Sequence, residues 1–180
     1  MASAGALHCQ ALQQAVDEGN VKTVGNLIKQ GCELENRCIL QVAKSTKTSD
    51  VSATEMMRLL LGKPGLRTHV DIPDVNQQTA LFWAASRGRV RLAECLLANG
   101  ANVNCVDKWG CAPLHWAARS GQADVMEALL KAGGDLGLKD RQEKRPFHYA
   151  QGNAVRWIVE HAEESEVLSG SAELDKRLTQ

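Results

Sequence analysis

The sequence has little that points to a membrane, to nucleic acid or to export. Its 21 Lys and Arg residues balance 21 Asp and Glu residues, so the formal net charge is zero. A neutral chain generates no strong overall field that would attract nucleic acid or an anionic membrane. No apolar run approaches the roughly 18 residues that a membrane span needs. The first residues, MASAGALHCQ, lack the basic start and long apolar core of a signal peptide. We therefore expect a cytoplasmic or nuclear protein that does not enter a membrane.

The sequence also lacks the patterns of common catalytic and metal sites. Its six cysteines form no CxxC pair, which indicates reduced thiols in an intracellular chain. Only Cys105, Cys111 and His115 approach a metal-ligand set, whereas zinc sites usually have tighter ligand pairs and four ligands. No glycine loop follows the GxxxxGK[ST] pattern that cradles phosphates. We predict no catalytic residues, no metal and no cofactor, so that an enzyme is the weaker alternative.

The segment at 107–134 matches other parts of the chain at a spacing of 33 residues. It contains a turn at Trp109 and Gly110, a proline at Pro113, and two short helical stretches at 114–120 and 123–132. Neither stretch reaches the roughly 12–15 residues at which an isolated helix becomes marginally stable in water, so each must pack on a neighbour. The spacing aligns Asp107 with Asp74 and Asp140, Leu114 with Leu81 and Phe147, and Trp116 with Trp83 and Tyr149.

This pattern resembles the ankyrin repeat family, in which a turn and two helices recur every 33 residues. The stretches that carry the resemblance are APLHWAARSGQADVMEALLKAGGD, TALFWAASRGRVRLAECLLANGANVN and, more loosely, RPFHYAQGNAVRWIVEH. The resemblance implies an all-α solenoid of about five helix-turn-helix repeats with β-hairpin-like loops. We place the repeats at 7–35, 36–69, 74–106, 107–139 and 140–162, followed by an acidic, flexible tail at 163–180.

The second repeat departs from this regularity. A stretch rich in Ser and Thr interrupts it at 45–50, and a long connection at 62–74 follows it. Polar insertions there cost little stability, because loop-closure entropy grows only slowly with loop length. We expect both places to be mobile. The stretch at 45–54 is interpreted as a flexible insertion or as a phosphorylation switch. Asn104 resembles asparagines that are hydroxylated in some ankyrin proteins.

Several residues of the repeats are expected to serve the fold. Trp83, Trp116 and Tyr149 could stack on a ligand, but the resemblance favours packing between repeats. His115 and His148 match a family histidine that hydrogen-bonds locally and braces the junction of loop and helix. Gly110 fits a turn position that needs a positive φ, and the matching residues of repeats three and five are Gln77 and Glu143. These two residues must either accept the strain of a positive φ or form a different turn.

Ankyrin arrays bind proteins through the loop tips and the concave face of the first helices, so the resemblance implies a non-catalytic interaction module. Residues at those positions that the fold does not require form a basic set with one tryptophan. The predicted partner-binding residues are Arg87, Lys108, Trp109, Arg119, Ser120, Arg141 and Lys144. We expect a monomeric adaptor, scaffold or regulator that binds an acidic protein segment, with Trp109 as the apolar anchor.

Alternatives to this interpretation remain open at the level of the sequence. Trp109 could instead fold against its own hairpin on a solvated surface. The same basic face, together with Arg87, Arg89 and Arg91, could serve a nucleic-acid-associated transcription cofactor, although the neutral charge argues against direct contact with nucleic acid. The acidic tail at 163–180 could also fold back onto the basic face.

Overall fold

The computed structural model describes residues 4–30, 37–63 and 69–161, which form a stack of helix pairs. These residues contain no β-strand, so the predicted all-α solenoid is confirmed. The stretch at 64–68 and the tail at 163–180 lie outside the described residues, as do the expectations made for them. The helices are α1 (Ala4–Asp17), α2 (Val21–Lys29), α3 (Arg37–Lys44), α4 (Asp50–Leu61), α5 (Ala80–Ser86), α6 (Val90–Ala98), α7 (Pro113–Arg119), α8 (Ala123–Lys131) and α9 (Asn153–His161).

The helices pack in two layers. The first helices of successive repeats contact one another in the order α1, α3, α5 and α7, and a 3-10 helix at Pro146–Tyr149 completes this layer. The second helices α2, α4, α6, α8 and α9 form the other layer. Small residues of the first layer, such as Ala84 and Ala117, are fully buried, which lets neighbouring helices approach closely. Leu92, Leu96 and Leu129 are also fully buried between the layers.

The loop tips of repeats three to five share one turn conformation. Gly110 has a φ of 81°, and Gln77 and Glu143 both have a φ of 61°. The two polar residues therefore accept the left-handed conformation that glycine adopts more easily, and they do not use another turn. Neighbouring tips are linked by backbone hydrogen bonds, from Lys108 N to Asn76 O at 3.0 Å and from Arg141 N to Trp109 O at 3.1 Å.

The second repeat differs in part from the expectation of a mobile insertion at 45–54. Helix α4 already begins at Asp50, with Ser49 as its N-cap, so Thr54 is a buried helical residue. The interruption between α3 and α4 is confined to residues 45–49, and Ser45 and Thr48 within it are buried. The stretch at 45–54 is therefore not one loop, because its second half belongs to α4. The mobility and the phosphorylation expected for it stay predictions.

Two arginines of repeat three hold this interruption in place. Arg89 is only 7 % exposed, and its guanidinium donates hydrogen bonds to the carbonyls of Val42, Ala43, Ser45 and Thr48 at 2.5–3.4 Å. Arg87 donates to the carbonyls of Ala43 at 2.7 Å and Ser45 at 3.3 Å. Several of these carbonyls end helix α3, where they lack helical donors and carry the negative end of the helix dipole.

Repeat two stabilises repeat three in return. The carboxylate of Asp50 accepts hydrogen bonds from the backbone N–H groups of Arg91 at 3.1 Å and Leu92 at 3.2 Å. These groups lie in the first turn of α6, where backbone donors have no helical partner. An aspartate near the start of one helix thus caps the next helix of the stack.

The role predicted for the histidines is confirmed. Nδ1 of His115 accepts a hydrogen bond from Ala112 N at 3.0 Å, and Nε2 donates to Lys144 O at 3.1 Å. His148 accepts from Arg145 N in the same way. Burial lowers the pKa of His115 from 6.5, although nearby Asp140 and Asp107 act in the opposite direction. The ring is therefore neutral and joins repeats four and five.

Replacing Arg89 with methionine should destabilise the protein by about 2–4 kcal/mol, because several buried carbonyls would lose their donors. The matched control is Arg91→Met, two residues along, where the side chain is exposed. That change should alter the free energy of unfolding by less than about 0.5 kcal/mol. Urea unfolding measures both values. Equal effects of the two substitutions would show that Arg89 does not anchor the second repeat.

His115 should make the protein less stable as the pH falls below 6.5. The unfolded chain binds a proton on this histidine more readily than the folded protein does, so protonation favours unfolding. Asp74 and Asp140 have pKa values below 3.8 and do not titrate in this range. Urea unfolding at about pH 7.5 and about pH 5.5 measures the difference. The difference should shrink in His115→Gln, and an unchanged difference in that variant would assign it to another group.

Candidate functional site

A groove of about 310 Å³ lies between repeats four and five, on the side of the stack that carries the loop tips. Tips and first helices of both repeats contribute to it, so the regular stacking of the two repeats creates it. The residues that line it are Trp109, Cys111, Trp116, Arg119, Asp140, Arg141, Gln142 and Tyr149. The groove brings together Trp109, Arg119 and Arg141 from the predicted set.

Two buried aspartates hold the aromatic side chains of the groove. The indole Nε1 of Trp116 donates to Asp107 Oδ2 at 2.9 Å, and the Tyr149 hydroxyl donates a short hydrogen bond to Asp140 Oδ2. Burial and this bond raise the pKa of Tyr149 to about 12, so the hydroxyl keeps its proton at neutral pH. Burial alone would raise the pKa of Asp140, but bonds from Tyr149 and from the backbone of its own tip lower it. Both rings are fixed by charged acceptors beneath them.

Trp109 combines the two arrangements that the sequence left open. Its ring centroid lies 6.4 Å from that of Trp116 with the planes tilted by 57°, so it rests against its own repeat. The side chain is nevertheless 44 % exposed and lines the groove. The Lys108 ammonium lies 4.4 Å from the centroid of the Trp109 ring and donates to Asn76 Oδ1 of the neighbouring tip at 2.5 Å.

Three cations around the groove have no carboxylate partner in the part of the chain that the structure describes. The Arg119 guanidinium lies 5.6 Å from the centre of the Trp116 ring, and the Lys144 ammonium 5.5 Å from that of Tyr149. Arg141 lines the groove from the tip of repeat five. Within the described residues, no carboxylate lies within 4.0 Å of any of these three cationic groups. Glu143, the acid on the same tip, pairs instead with Lys139 at 2.7 Å.

Arg87 lies apart from this groove, and the premise that the fold does not need it is wrong. Its guanidinium bonds to the carbonyls of Ala43, at the end of α3, and Ser45, just after it, and lies 5.0 Å from the Trp83 ring centre. Lys44, also 5.0 Å from that ring centre, pairs with Asp74 at 2.7 Å. Arg89, which the nucleic-acid alternative would use, is buried. Lys44, Arg87 and Arg89 thus bind other parts of the chain.

Ser120 lies at the end of α7, next to Arg119. It is exposed, and its backbone N–H donates to Trp116 O at 3.0 Å. This position puts it at the end of the helix that carries two residues of the groove, Trp116 and Arg119. Its role in binding stays a prediction.

The three residues of the possible metal set each have another partner. Cys105 Sγ lies 3.8 Å from Thr79 Oγ1, Cys111 Sγ lies 3.8 Å from Asp140 Oδ2, and both ring nitrogens of His115 are hydrogen-bonded. Burial raises the thiol pKa to about 11 for Cys105 and, with the help of nearby aspartates, to about 12 for Cys111. Across the described ranges, no three His, Cys, Asp or Glu side chains are grouped so as to hold a metal.

Sequence reasoning assigned Trp116 and Tyr149 to the scaffold and missed that they also line the groove. A signal was present, because each ring follows its aspartate by nine residues, Asp107 to Trp116 and Asp140 to Tyr149. The same spacing relates Asp74 to Trp83. This nine-residue spacing indicates that an aspartate and an aromatic ring recur at equivalent positions of repeats three, four and five.

Comparison with known proteins agrees with this architecture. None of the helices in the described ranges has the length and apolar character to span a membrane. No curated protein matches the chain. A family model described as "Ankyrin repeats (3 copies)" matches residues 12–107, 50–140 and 91–169, which together cover most of the sequence. The chain therefore belongs to the ankyrin repeat family, whose repeats generally serve as protein–protein interaction modules.

Proposed function

We propose that this protein is a non-catalytic interaction module that binds an acidic segment of a partner protein in the groove between repeats four and five. The observation that carries the proposal is the half-exposed Trp109 beside cations that lack carboxylate partners. An adaptor, a scaffold or a regulator of the cytoplasm or nucleus would each use such a surface. The chain would do so as a monomer, since one copy supplies the whole groove.

The aromatic wall would supply the apolar part of the binding energy. Tryptophan and arginine are the residues most enriched at binding hot spots, and a truncated hot spot costs at least about 2 kcal/mol. The Trp109 ring rests on Trp116 and leaves part of its apolar surface exposed. Because this contact already fixes the ring, the side chain does not have to be ordered when the partner binds. Preorganisation of this kind lowers the entropic cost of association. A leucine, a valine or an aromatic residue of the partner would pack there.

The cations would select an acidic partner. Arg119 lies over the Trp116 ring, so its planar guanidinium can present N–H donors to a carboxylate. Arg141 and Lys144 add positive charge at the tip of repeat five, with Lys108 on the neighbouring tip. The carboxylates of Asp107 and Asp140 are 2 % and 5 % exposed, so a partner would meet the cations first. Charge complementarity of this kind mainly sets specificity and the association rate.

Selection of random peptides on the purified protein tests the proposal without a known partner. The selected peptides should be enriched in Asp and Glu and should carry an apolar residue beside them. The double variant Trp109→Ala/Arg119→Gln should bind them at least about 30-fold more weakly, which corresponds to about 2 kcal/mol. Affinity should also fall as salt is added, because salt screens exposed charges.

The matched control is Arg91→Gln, which removes an exposed arginine from helix α6 outside the groove. It should bind the selected peptides as the wild type does. Circular dichroism melts of all variants establish that they are folded. Peptides without acidic enrichment, or equal binding by the groove variant and the wild type, would refute the proposal.

A further inference from the structure

We infer that the chain carries its own ligand for this groove, the acidic segment EESEVL at residues 163–168, which a partner must displace. The inference rests on the proposed function, because it assigns an occupant to the same groove. Residues 162–180 lie outside the described part of the chain; the groove, the end of α9 and the sequence of the segment support the inference.

The chemistry of the segment complements that of the groove. It contains three carboxylates, Glu163, Glu164 and Glu166, followed directly by the apolar pair Val167 and Leu168, and it contains no cation. The groove offers three cations without carboxylate partners and a half-exposed tryptophan. An acidic run that ends in apolar residues is also the kind of sequence that we expect in a partner protein.

The segment begins close enough to reach the groove. Helix α9 ends at His161 and packs directly against α7, the helix that carries Trp116 and Arg119. Packed helices lie about 8–10 Å apart. Seven residues, 162–168, can extend over about 23–25 Å at 3.3–3.6 Å each. The extended length of these seven residues is thus more than twice the distance between two packed helices.

Covalent attachment lets even a weak contact fill the groove. A short flexible linker gives an effective concentration of about 1 mM. If the free segment binds with a Kd of about 0.1 mM, the attached segment occupies the groove about ten times as often as it leaves it empty. A partner would then bind about tenfold more weakly than it binds an empty groove. Only partners whose acidic segments bind tightly enough to displace the attached segment would then occupy the groove.

Fluorescence anisotropy with a labelled peptide of residues 162–171, AEESEVLSGS, tests the inference on three full-length chains. They are the wild type, the variant Glu163→Lys/Glu166→Lys, and the charge-matched control Glu173→Lys/Asp175→Lys. The first variant should bind the peptide about tenfold more tightly than the wild type, because its own segment no longer competes. The control carries the same charge change later in the tail and should bind within about twofold of the wild type.

Adding Arg141→Gln to the tighter-binding variant should remove most of the gain, which locates the peptide in the groove. Equal affinity for all three chains would overturn the inference and leave the proposed function intact. Absence of peptide binding to all three chains would also overturn it, if the peptides selected on the wild type still bind. Failure of both kinds of peptide would instead refute the proposed function.

Discussion

The groove between repeats four and five depends on Asp107 and Asp140, two buried aspartates whose carboxylates each make two sets of hydrogen bonds. Oδ1 of Asp74, Asp107 and Asp140 accepts two backbone N–H groups of its own tip at 2.8–3.0 Å. Oδ2 of Asp107 and Asp140 holds the ring donors of Trp116 and Tyr149. Hydrogen bonds to a charged acceptor are roughly twice as strong as neutral ones. Tip and aromatic wall are therefore fixed relative to each other before any ligand arrives.

The same carboxylate has a different partner in repeat three, and this divides the face into two parts. Asp74 Oδ2 pairs with Lys44, while the buried Nε1 of Trp83 has no hydrogen-bond partner among the described residues. Arg87 bonds to carbonyls at the end of helix α3 and just after it, so Lys44 and Arg87, the two cations beside the Trp83 ring, are both held by other parts of the chain. In repeats four and five the rings bond to the carboxylates, and the cations near these rings have no carboxylate partner among residues 4–30, 37–63 and 69–161. This difference is the reason that we propose repeats four and five, and not repeat three, as the place where a partner binds.

The features that the sequence predicted are those that recur every 33 residues. The helix pairs and the bracing role of His115 depend on contacts within a repeat or between equivalent positions. Whether Gln77 and Glu143 share the turn of Gly110 was left open by the sequence and became clear only in the structure. Arg87 and Arg89 were misjudged because their hydrogen bonds join residues 41–47 positions apart across the irregular second repeat. The spacing from Asp107 to Trp116 was visible, but no local pattern reveals that Asp74 would take Lys44 in place of Trp83. The groove therefore required the three-dimensional placement of side chains that the period alone cannot supply.

A double-mutant cycle on Asp107→Asn and Trp116→Phe tests most directly whether the carboxylate holds the aromatic wall. Asparagine keeps an oxygen for the turn but removes the charge, and phenylalanine keeps a ring but removes the indole N–H. The free energies of unfolding of the two single variants and the double variant, compared with that of the wild type, give the coupling energy. We predict a coupling of about 1.5–3 kcal/mol, the range of hydrogen bonds to charged groups. Additivity within about 0.3 kcal/mol would contradict the dependence of the groove on this carboxylate.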